Sequence, residues 1–194
     1  MKRALISVYD KTGIINFARE LSKYEIEIIA TEGSATALKK VGIRPIKHVS
    51  DVTGFPEILE GRVKTEHPKV MGGILALRNK KEHMEDLERF GIEPIDMVVC
   101  NLYPFETQTA QGVDLKTALE NIDIGGPNMI RAAAKNFVNV VVVVNPQRYD
   151  QILIEVKKKG DVSLRTRRVL AVEAFKKTAR YETAIYKFLE KALS

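Results

Sequence analysis

The residues best suited to acid–base chemistry in this sequence lie between positions 121 and 136. Asp123 precedes two glycines and Pro127, and the helix predicted from Pro127 carries Arg131 and Lys135. Adjacent glycines let a ligand approach the backbone closely, and a helix start offers free N–H groups to a developing negative charge. A carboxylate, backbone donors and an amine in one segment are the parts of a proton-transfer site with an oxyanion pocket. The same residues are also ordinary signals of a helix start, so the segment alone leaves both interpretations open.

Two other loops have the composition of a phosphate site. Ser7–Gly13 contains hydroxyls and Lys11, and it leads from a predicted strand into a predicted helix. Thr31–Ser34 is a second strand-to-helix turn. Hydroxyls, a lysine and a helix N-terminus together suit an anion, although Asp10 or Ser34 acting as a helix cap explains the residues equally well. The spacings of a Walker A loop and of a dinucleotide fingerprint are absent from the sequence, which argues against ATP or GTP hydrolysis.

Residues 61–73 form a long basic segment with little periodicity, and such segments in compact domains are commonly functional. Arg62 can hold an oxyanion with two donors, whereas Lys64 acts as a point charge or a proton donor. Asn101 and Tyr103 follow a predicted buried strand, and both can hydrogen-bond a polar heterocycle. Simpler interpretations stay open: a solvated loop for the two cations, and a turn with a core-edge tyrosine for the other two residues.

Composition limits the class of protein. The 194 residues suffice for one α/β domain with a full core, and 45% hydrophobic and 29% charged residues are typical of soluble globular chains. The three histidines lack metal-ligand spacing, and the single cysteine, Cys100, excludes an internal disulfide and is predicted to be a packed strand residue. No apolar run approaches the ~20 residues of a membrane helix and no signal peptide is recognisable, so we expect no membrane association and a cytoplasmic location.

The net charge of +6 arises in the C-terminal segment. Residues 151–194 hold 11 of the 31 basic residues and 5 of the 25 acidic ones, so the rest of the chain is balanced. A basic segment of this kind can bind nucleic acid or an acidic partner. It lacks the interleaved aromatic residues that stack on bases, so a solvated helix surface is the favoured interpretation and we expect no nucleic-acid partner.

Strand and helix patterns alternate along the chain, which predicts an α/β fold with parallel strands and right-handed crossovers. The predicted strands are Arg3–Val8, Glu27–Thr31, Pro45–Val49, Met97–Leu102 and Val140–Val144. The predicted helices are Gly13–Lys23, Ala35–Val41, Lys81–Arg89, Leu115–Asn121, Pro127–Lys135 and Tyr149–Lys158. From Ser163 onward we expect helix to the end, in two pieces that are separated near Thr178–Glu182. Because ligands bind at the carboxyl ends of parallel strands, most of the loops described above lie where a site is expected.

Several motifs follow one another in a fixed order along the chain. They are Ser7–Gly13, Thr53–Glu57 with Gly61–Gly73, Asn101–Phe105, Ile122–Asn136, Thr166–Arg168 and Ala174–Ala179. Together they resemble the IMP cyclohydrolase domain of the bifunctional AICAR transformylase/IMP cyclohydrolase family, from residue 3 to about residue 186. The resemblance implies a methylglyoxal-synthase-like fold, in which a flavodoxin-like parallel sheet lies between helices, with further helices at the C-terminal end.

The implied reaction is the last step of de novo purine biosynthesis. The carboxamide nitrogen of 5-formamidoimidazole-4-carboxamide ribonucleotide (FAICAR) attacks the formyl carbon of the same molecule, and loss of water gives inosine monophosphate (IMP). Because the step is intramolecular, the protein must supply positioning, proton transfer and oxyanion stabilisation, and the resemblance implies no cofactor and no metal.

The resemblance also assigns residues. It makes Lys135 the proton-transferring residue and Asp123 the group that orients the formamide, with the Ile124–Gly125 backbone near the formyl oxygen. It makes Lys64 and Tyr103 partners of the carboxamide, and Asn101 a base-contacting residue. The full set expected around the substrate is Tyr9, Asp10, Lys11, Thr31, Glu32, Gly33, Ser34, Arg62, Val63, Lys64, Thr65, Cys100, Asn101, Asp123, Ile124 and Gly125.

Four positions depart from the family pattern. Tyr9 stands where the family has serine, Glu32 replaces the first of two glycines, and Glu66 and Met71 replace leucine and histidine. An anion such as Glu32 beside a phosphate weakens binding unless it points away or is paired. The departures leave a rival open, a non-catalytic module that binds purine nucleotides on the same fold. A methylglyoxal-synthase-type lyase is a weaker alternative.

We expect residues 1–194 to form one cyclohydrolase-like domain without a transformylase domain. A separate formylating enzyme would then supply the substrate, and a homodimer is left open.

Overall fold

The computed structural model describes residues 1–110 and 112–194, and within them five strands form one parallel sheet in the order β3–β2–β1–β4–β5. The strands are β1 (Arg3–Val8), β2 (Glu27–Ala30), β3 (Ile46–His48), β4 (Met97–Asn101) and β5 (Val141–Val143). In the central part of the sheet, Ile6 of β1 pairs with Ala30 on one side and with Val99 on the other. The predicted parallel α/β fold is confirmed, and each strand lies within one residue of its expected ends.

Ten α-helices surround the sheet in the same described part of the chain. They are α1 (Ile14–Lys23), α2 (Glu32–Lys40), α3 (Val49–Thr53), α4 (Pro68–Leu75), α5 (Lys81–Arg89), α6 (Phe105–Thr109), α7 (Leu115–Glu120), α8 (Gly125–Lys135), α9 (Tyr149–Lys159) and α10 (Leu164–Leu193). Short 3-10 turns occur at Leu59–Gly61 and Pro146–Arg148. None of the helices in residues 1–110 and 112–194 has both the length and the apolarity needed to cross a bilayer.

The core follows from the burial of the sheet on both faces. Val141, Val142 and Val143 are each at most 1% exposed, as expected of a strand covered by helices on both sides. Helix α10 packs against α8 and β5, and α8 packs against β4. These contacts fix the start of α8 beside the carboxyl end of β4, which is where the predicted site lies.

The C-terminal helix differs from the expected two pieces. Helix α10 runs without interruption through the predicted break at Thr178–Glu182. Thr178 is buried and its hydroxyl donates to the carbonyl of Phe175, while Tyr181 packs edge-on against Phe105. Tertiary packing therefore continues the helix through Thr178 and Tyr181, two residues of lower helix propensity.

The long basic segment is also more regular than its sequence indicates, because α4 begins at Pro68 within it. The His67 imidazole caps the helix by accepting from the N–H of Lys69 at 3.1 Å. Gly73 lies so close to the backbone that a Cβ there would be 2.8 Å from the carbonyl oxygen of Glu93. The two glycines that obscure the helical period thus serve close packing. Helix α8 likewise begins at Gly125 instead of Pro127.

Candidate active site

A cavity of about 600 Å³ opens at the carboxyl ends of β1, β2 and β4. A volume of this size accommodates a mononucleotide. The predicted site residues that line it are Tyr9, Thr31, Arg62, Lys64, Thr65, Asn101, Tyr103, Asp123, Ile124 and Gly125. The structure therefore brings together residues from five separated loops. In the described residues, no group of three or more His, Cys, Asp or Glu side chains is arranged to hold a metal ion.

Asp123 is fixed at the start of α8. Its Oδ1 accepts from the N–H of Gly126 at 2.8 Å, and its own N–H donates to the Tyr181 hydroxyl of α10 at 2.8 Å. Burial raises the pKa of Asp123, and the nearby Glu66 carboxylate raises it further, whereas the Gly126 N–H and the charge of Lys64 act in the opposite direction. A partly buried carboxyl group whose pKa is raised keeps its proton to higher pH than an exposed one, which makes Asp123 a candidate proton donor.

The start of α8 also offers a backbone donor. Pro127 has no N–H, and the N–H of Gly126 is engaged by Asp123. Among the hydrogen bonds of residues 1–110 and 112–194, the N–H of Gly125 has no acceptor. Because Gly125 lines the cavity, its N–H is available to an oxygen atom of a bound molecule.

The segment that precedes α4 supplies the cationic side of the cavity. Lys64 Nζ lies 3.7 Å from the Glu57 carboxylate, and Arg62 pairs with Glu120 at the rim. Thr65 is 1% exposed, so this turn is packed against the body of the protein. Lys64 is thereby held where its charge reaches Asp123.

The ends of β1 and β2 meet through side-chain hydroxyls. The Ser34 hydroxyl accepts from the N–H of Val8 at 3.0 Å, and Thr31 and Ser7 hydroxyls are 3.3 Å apart. Lys11 turns back on its own loop, where its ammonium donates to the carbonyls of Val8 and Tyr9. Burial lowers the pKa of Lys11. The two predicted phosphate loops are therefore adjacent, as expected, but Lys11 and Ser34 bind the backbone and do not line the cavity.

Glu32 points away from the cavity. Its carboxylate lies 2.9 Å from Nδ1 of His48 and accepts from the Thr36 hydroxyl at 3.3 Å. His48 in turn contacts Lys39. The anion that replaces a family glycine is thus paired at the outer face of α2, so it does not oppose a phosphate group in the cavity.

Asn101 contacts the β1 loop through its whole amide group. Its Oδ1 accepts from the N–H groups of Tyr9 and Asp10 at 2.7 and 2.9 Å, and its Nδ2 donates to the Asp10 carbonyl at 2.8 Å. The Tyr103 hydroxyl accepts from Gln108 at 3.0 Å, and the Tyr103 and Tyr9 rings meet edge to face at 4.5 Å. Asn101 therefore positions the loop that carries Tyr9 in addition to lining the cavity.

The other predicted substrate residues lie outside the cavity. They are Asp10, Lys11, Glu32, Gly33, Ser34, Val63 and Cys100. Cys100 is the clearest case, because it is 1% exposed and burial raises the pKa of its thiol, which is therefore neutral. Asp10 binds the backbone N–H and the hydroxyl of Thr12, which is a helix-entry contact.

The expectation that Lys135 stands beside Asp123 is wrong for a single chain. Gly125 and Lys135 are the first and last residues of α8, and ten residues of α-helix rise about 15 Å. Lys135 lies instead in a second cavity of about 700 Å³ with Arg131 and Arg168. Residues that are near in sequence were expected to share a site, but the helix carries them to its opposite ends.

Two residues near the site were missed. Glu66 was recognised as a departure from the family pattern, but it also lines the cavity. Tyr181 binds the N–H of Asp123 from α10, 58 residues away, and burial raises the pKa of its hydroxyl to about 12. The sequence contained a signal for Glu66, a charge in place of an apolar residue, but none that connected Tyr181 with Asp123.

Comparison with known proteins places two family models on the chain. Residues 13–128 match the family model described as MGS-like domain, and residues 133–194 match the one described as AICARFT/IMPCHase bienzyme. The chain is 55% identical over 194 residues to the bifunctional purine biosynthesis protein PurH of Acetivibrio thermocellus, and 54% identical over 184 residues to that of Persephonella marina. It spans 38% and 36% of the lengths of these two relatives.

A solved structure described as ForH superposes with a TM-score of 0.88 at 32% identity, covering 99% of this chain and 98% of that one. The resemblance to the IMP cyclohydrolase domain and the methylglyoxal-synthase-like fold expected from the motifs are confirmed by these matches, and the relatives are proteins of purine biosynthesis. Since the first family model covers more than half of the sequence, the chain belongs to the MGS-like domain family.

Proposed function

We propose that this chain is an IMP cyclohydrolase, which closes the pyrimidine ring of FAICAR with loss of water. One observation carries the proposal: a carboxyl group with a raised pKa, Asp123, is fixed at a helix start inside a nucleotide-sized cavity. Ring closure within one molecule needs little more than a held conformation, a proton donor and a partner for the developing oxyanion.

The roles follow from the placement of the groups. The formyl oxygen is expected at the start of α8, where the Asp123 carboxyl donates a proton and the N–H of Gly125 stabilises developing negative charge. Lys64 and Tyr103 lie on the other walls of the cavity and are expected to hold the carboxamide. Because the attacking nitrogen and the formyl carbon belong to one molecule, fixing their mutual orientation accounts for a large part of the expected acceleration.

The ribose phosphate is expected at the ends of β1 and β2. There Thr31 and Ser7 present hydroxyls, and Tyr9 borders the opening. Arg62 lies at the rim and would exchange Glu120 for an anionic ligand. These groups bind a phosphate without a metal ion, since hydroxyls and a guanidinium group supply the donors.

One role implied by the resemblance has no support within a single chain. A lysine at the end of α8 cannot reach a ring bound at the start of that helix, so proton transfer by Lys135 would require the amine of another copy. Within one chain, the groups that can accept the carboxamide proton are those that line the cavity itself.

Ultraviolet-monitored conversion of FAICAR by the purified chain tests the proposal. We expect ring closure well above the uncatalysed rate, without added metal or cofactor. Calorimetry with IMP on the same preparation separates this function from its rival. Binding of IMP without turnover would favour the non-catalytic nucleotide-binding module, and a folded protein that neither binds nor turns over would contradict both. Any formyl-transfer step that supplies the substrate belongs to a separate active site.

A further inference from the structure

Glu66 is the second carboxylate at the start of α8. Its Oε2 accepts from the N–H groups of Lys64 and Thr65 at 3.0 and 3.1 Å, and its Oε1 accepts from the Thr65 hydroxyl at 3.3 Å. A Cβ on Gly125 would lie 2.5 Å from the same Oε1, so the carboxylate packs directly on the first residue of the helix. Three donors and this contact hold Glu66 in the cavity that it lines.

The carboxylates of Glu66 and Asp123 pack against consecutive residues at the start of α8, Gly125 and Gly126. Asp123 Oδ2 would lie 2.5 Å from a Cβ on Gly126, as Glu66 Oε1 would from one on Gly125. The Glu66 charge is among the causes of the raised pKa of Asp123, after burial, so the two carboxyl groups are near enough to interact electrostatically. The other titratable groups that face Asp123 are Lys64 of the same loop, Cys100 of β4 and Tyr181 of α10.

We propose that Glu66 is a further catalytic residue, which takes up the carboxamide proton and shares one proton with Asp123 through ring closure. The inference rests on the function proposed above. Within a single chain, Lys135 cannot accept the carboxamide proton. Glu66 is suited to that role because its carboxylate accepts from the backbone N–H of Lys64, the residue expected to hold the carboxamide.

The proton balance of the reaction suits one carboxylate and one carboxyl group. In the first step the carboxamide nitrogen attacks the formyl carbon, Glu66 removes a proton from that nitrogen, and Asp123 protonates the formyl oxygen. A C–N bond forms and the carbonyl becomes a hydroxyl group. In the second step Glu66 returns its proton to the hydroxyl, the C–O bond breaks, and water leaves.

The former formamide nitrogen loses its proton to Asp123 as the C=N bond forms. Both carboxyl groups then regain their starting states, with no net proton exchange with solvent. An apolar residue at position 66 would leave this cycle without its first acceptor. Glu66 therefore gives this chain a proton acceptor at a position where the family pattern has leucine.

The test compares Glu66→Gln with wild type and with Glu88→Gln, which removes the same negative charge at an exposed residue of α5. Glutamine keeps the size of the side chain and an acceptor for the Lys64 and Thr65 N–H groups. We expect kcat to fall on the order of 100-fold in Glu66→Gln, with the dissociation constant of IMP changed less than about threefold. The rising limb of the pH–rate profile should disappear, while Glu88→Gln keeps wild-type values.

A kcat within twofold of wild type, or a lowered kcat with an unchanged two-limbed pH profile, would overturn the proposal, because the second result describes a structural role. A carbon-13 NMR titration of the carboxyl groups tests the pair without turnover. Glu66→Gln should lower the pKa of Asp123, since a like charge is removed, and an unmoved pKa would overturn the proposal. If wild type does not close the ring at all, the proposed function fails separately, and the titration still decides whether the two groups are coupled.

Discussion

Replacing Gly126 with alanine places a methyl group against the Asp123 carboxylate. The added Cβ would lie 2.5 Å from Asp123 Oδ2 and 2.7 Å from Cδ2 of Leu102, both far inside van der Waals contact. The carboxylate cannot swing away freely, because its Oδ1 is bound to the Gly126 N–H at 2.8 Å. Overpacking of this kind costs about 1–3 kcal/mol of unfolding free energy, which is roughly a 5- to 150-fold change in the unfolding equilibrium.

In Gly126→Ala, kcat should fall by more than the loss of unfolding free energy alone would explain. A shift of about 1 Å in a group that acts on the substrate can lower the rate on the order of 100-fold, so we expect a loss of that size in kcat. Urea denaturation measures the loss of unfolding free energy, and ultraviolet-monitored ring closure measures the loss of kcat.

Gly33→Ala is the matched control for the stability measurement. Gly33 also lies in the first turn of a helix, but no atom lies within 4 Å of its added Cβ and its φ angle is not positive. Because alanine suits a helix better than glycine, this variant should gain about 0.4–1 kcal/mol. Equal stability of the two variants, or wild-type turnover in Gly126→Ala, would refute the packing of Asp123 against the helix start.

Four further predictions concern Asp123 and its surroundings. Lys64→Ala should raise the pKa of Asp123 in an NMR titration, because the ammonium lowers it. Lys135→Ala should leave that pKa unchanged, since about 15 Å of helix exceeds the Debye length of about 8 Å in physiological salt. Tyr181→Phe removes the acceptor of the Asp123 N–H, so urea denaturation should show a loss of about 1–3 kcal/mol. In Asp123→Asn, stability relative to wild type should rise with pH. A carboxyl group whose folded pKa is raised stabilises the fold fully below its ordinary pKa of 3.8, and this stabilisation is lost as pH rises through the folded pKa. Urea denaturation of both proteins at about pH 3.5 and about pH 7 measures the difference.

The fold could be predicted because each strand carries a strong local signal. The valines of β5 and the apolar run of β4 define buried strands without reference to their neighbours, and helix patterns separate them. The expected secondary structure was wrong at positions where tertiary packing determines the backbone conformation. Thr178 is weak in helix propensity but buried in a continuous α10. The two glycines of α4 look irregular in sequence, but Gly73 packs closely on the Glu93 backbone and Gly72 on the Ile92 side chain.

The composition of the site was more predictable than its geometry. The rule that ligands bind at the carboxyl ends of parallel strands selected loops that line one cavity, and Asp123 and Lys64 are among the lining residues. The rule does not tell which side chains of those loops face the ligand. Lys11 binds its own loop and Glu32 binds His48. Lys135 lies at the far end of α8, about 15 Å from the start of the helix that borders the cavity.

The kcat of Asp123→Asn tests whether the Asp123 carboxyl group transfers a proton during ring closure. Asparagine keeps the size of the side chain and an oxygen for the Gly126 N–H, but it cannot donate the carboxyl proton. With IMP binding measured on the same folded preparation, we predict a fall in kcat of at least about 100-fold and a dissociation constant within about threefold of wild type. A kcat within about threefold of wild type would contradict the account.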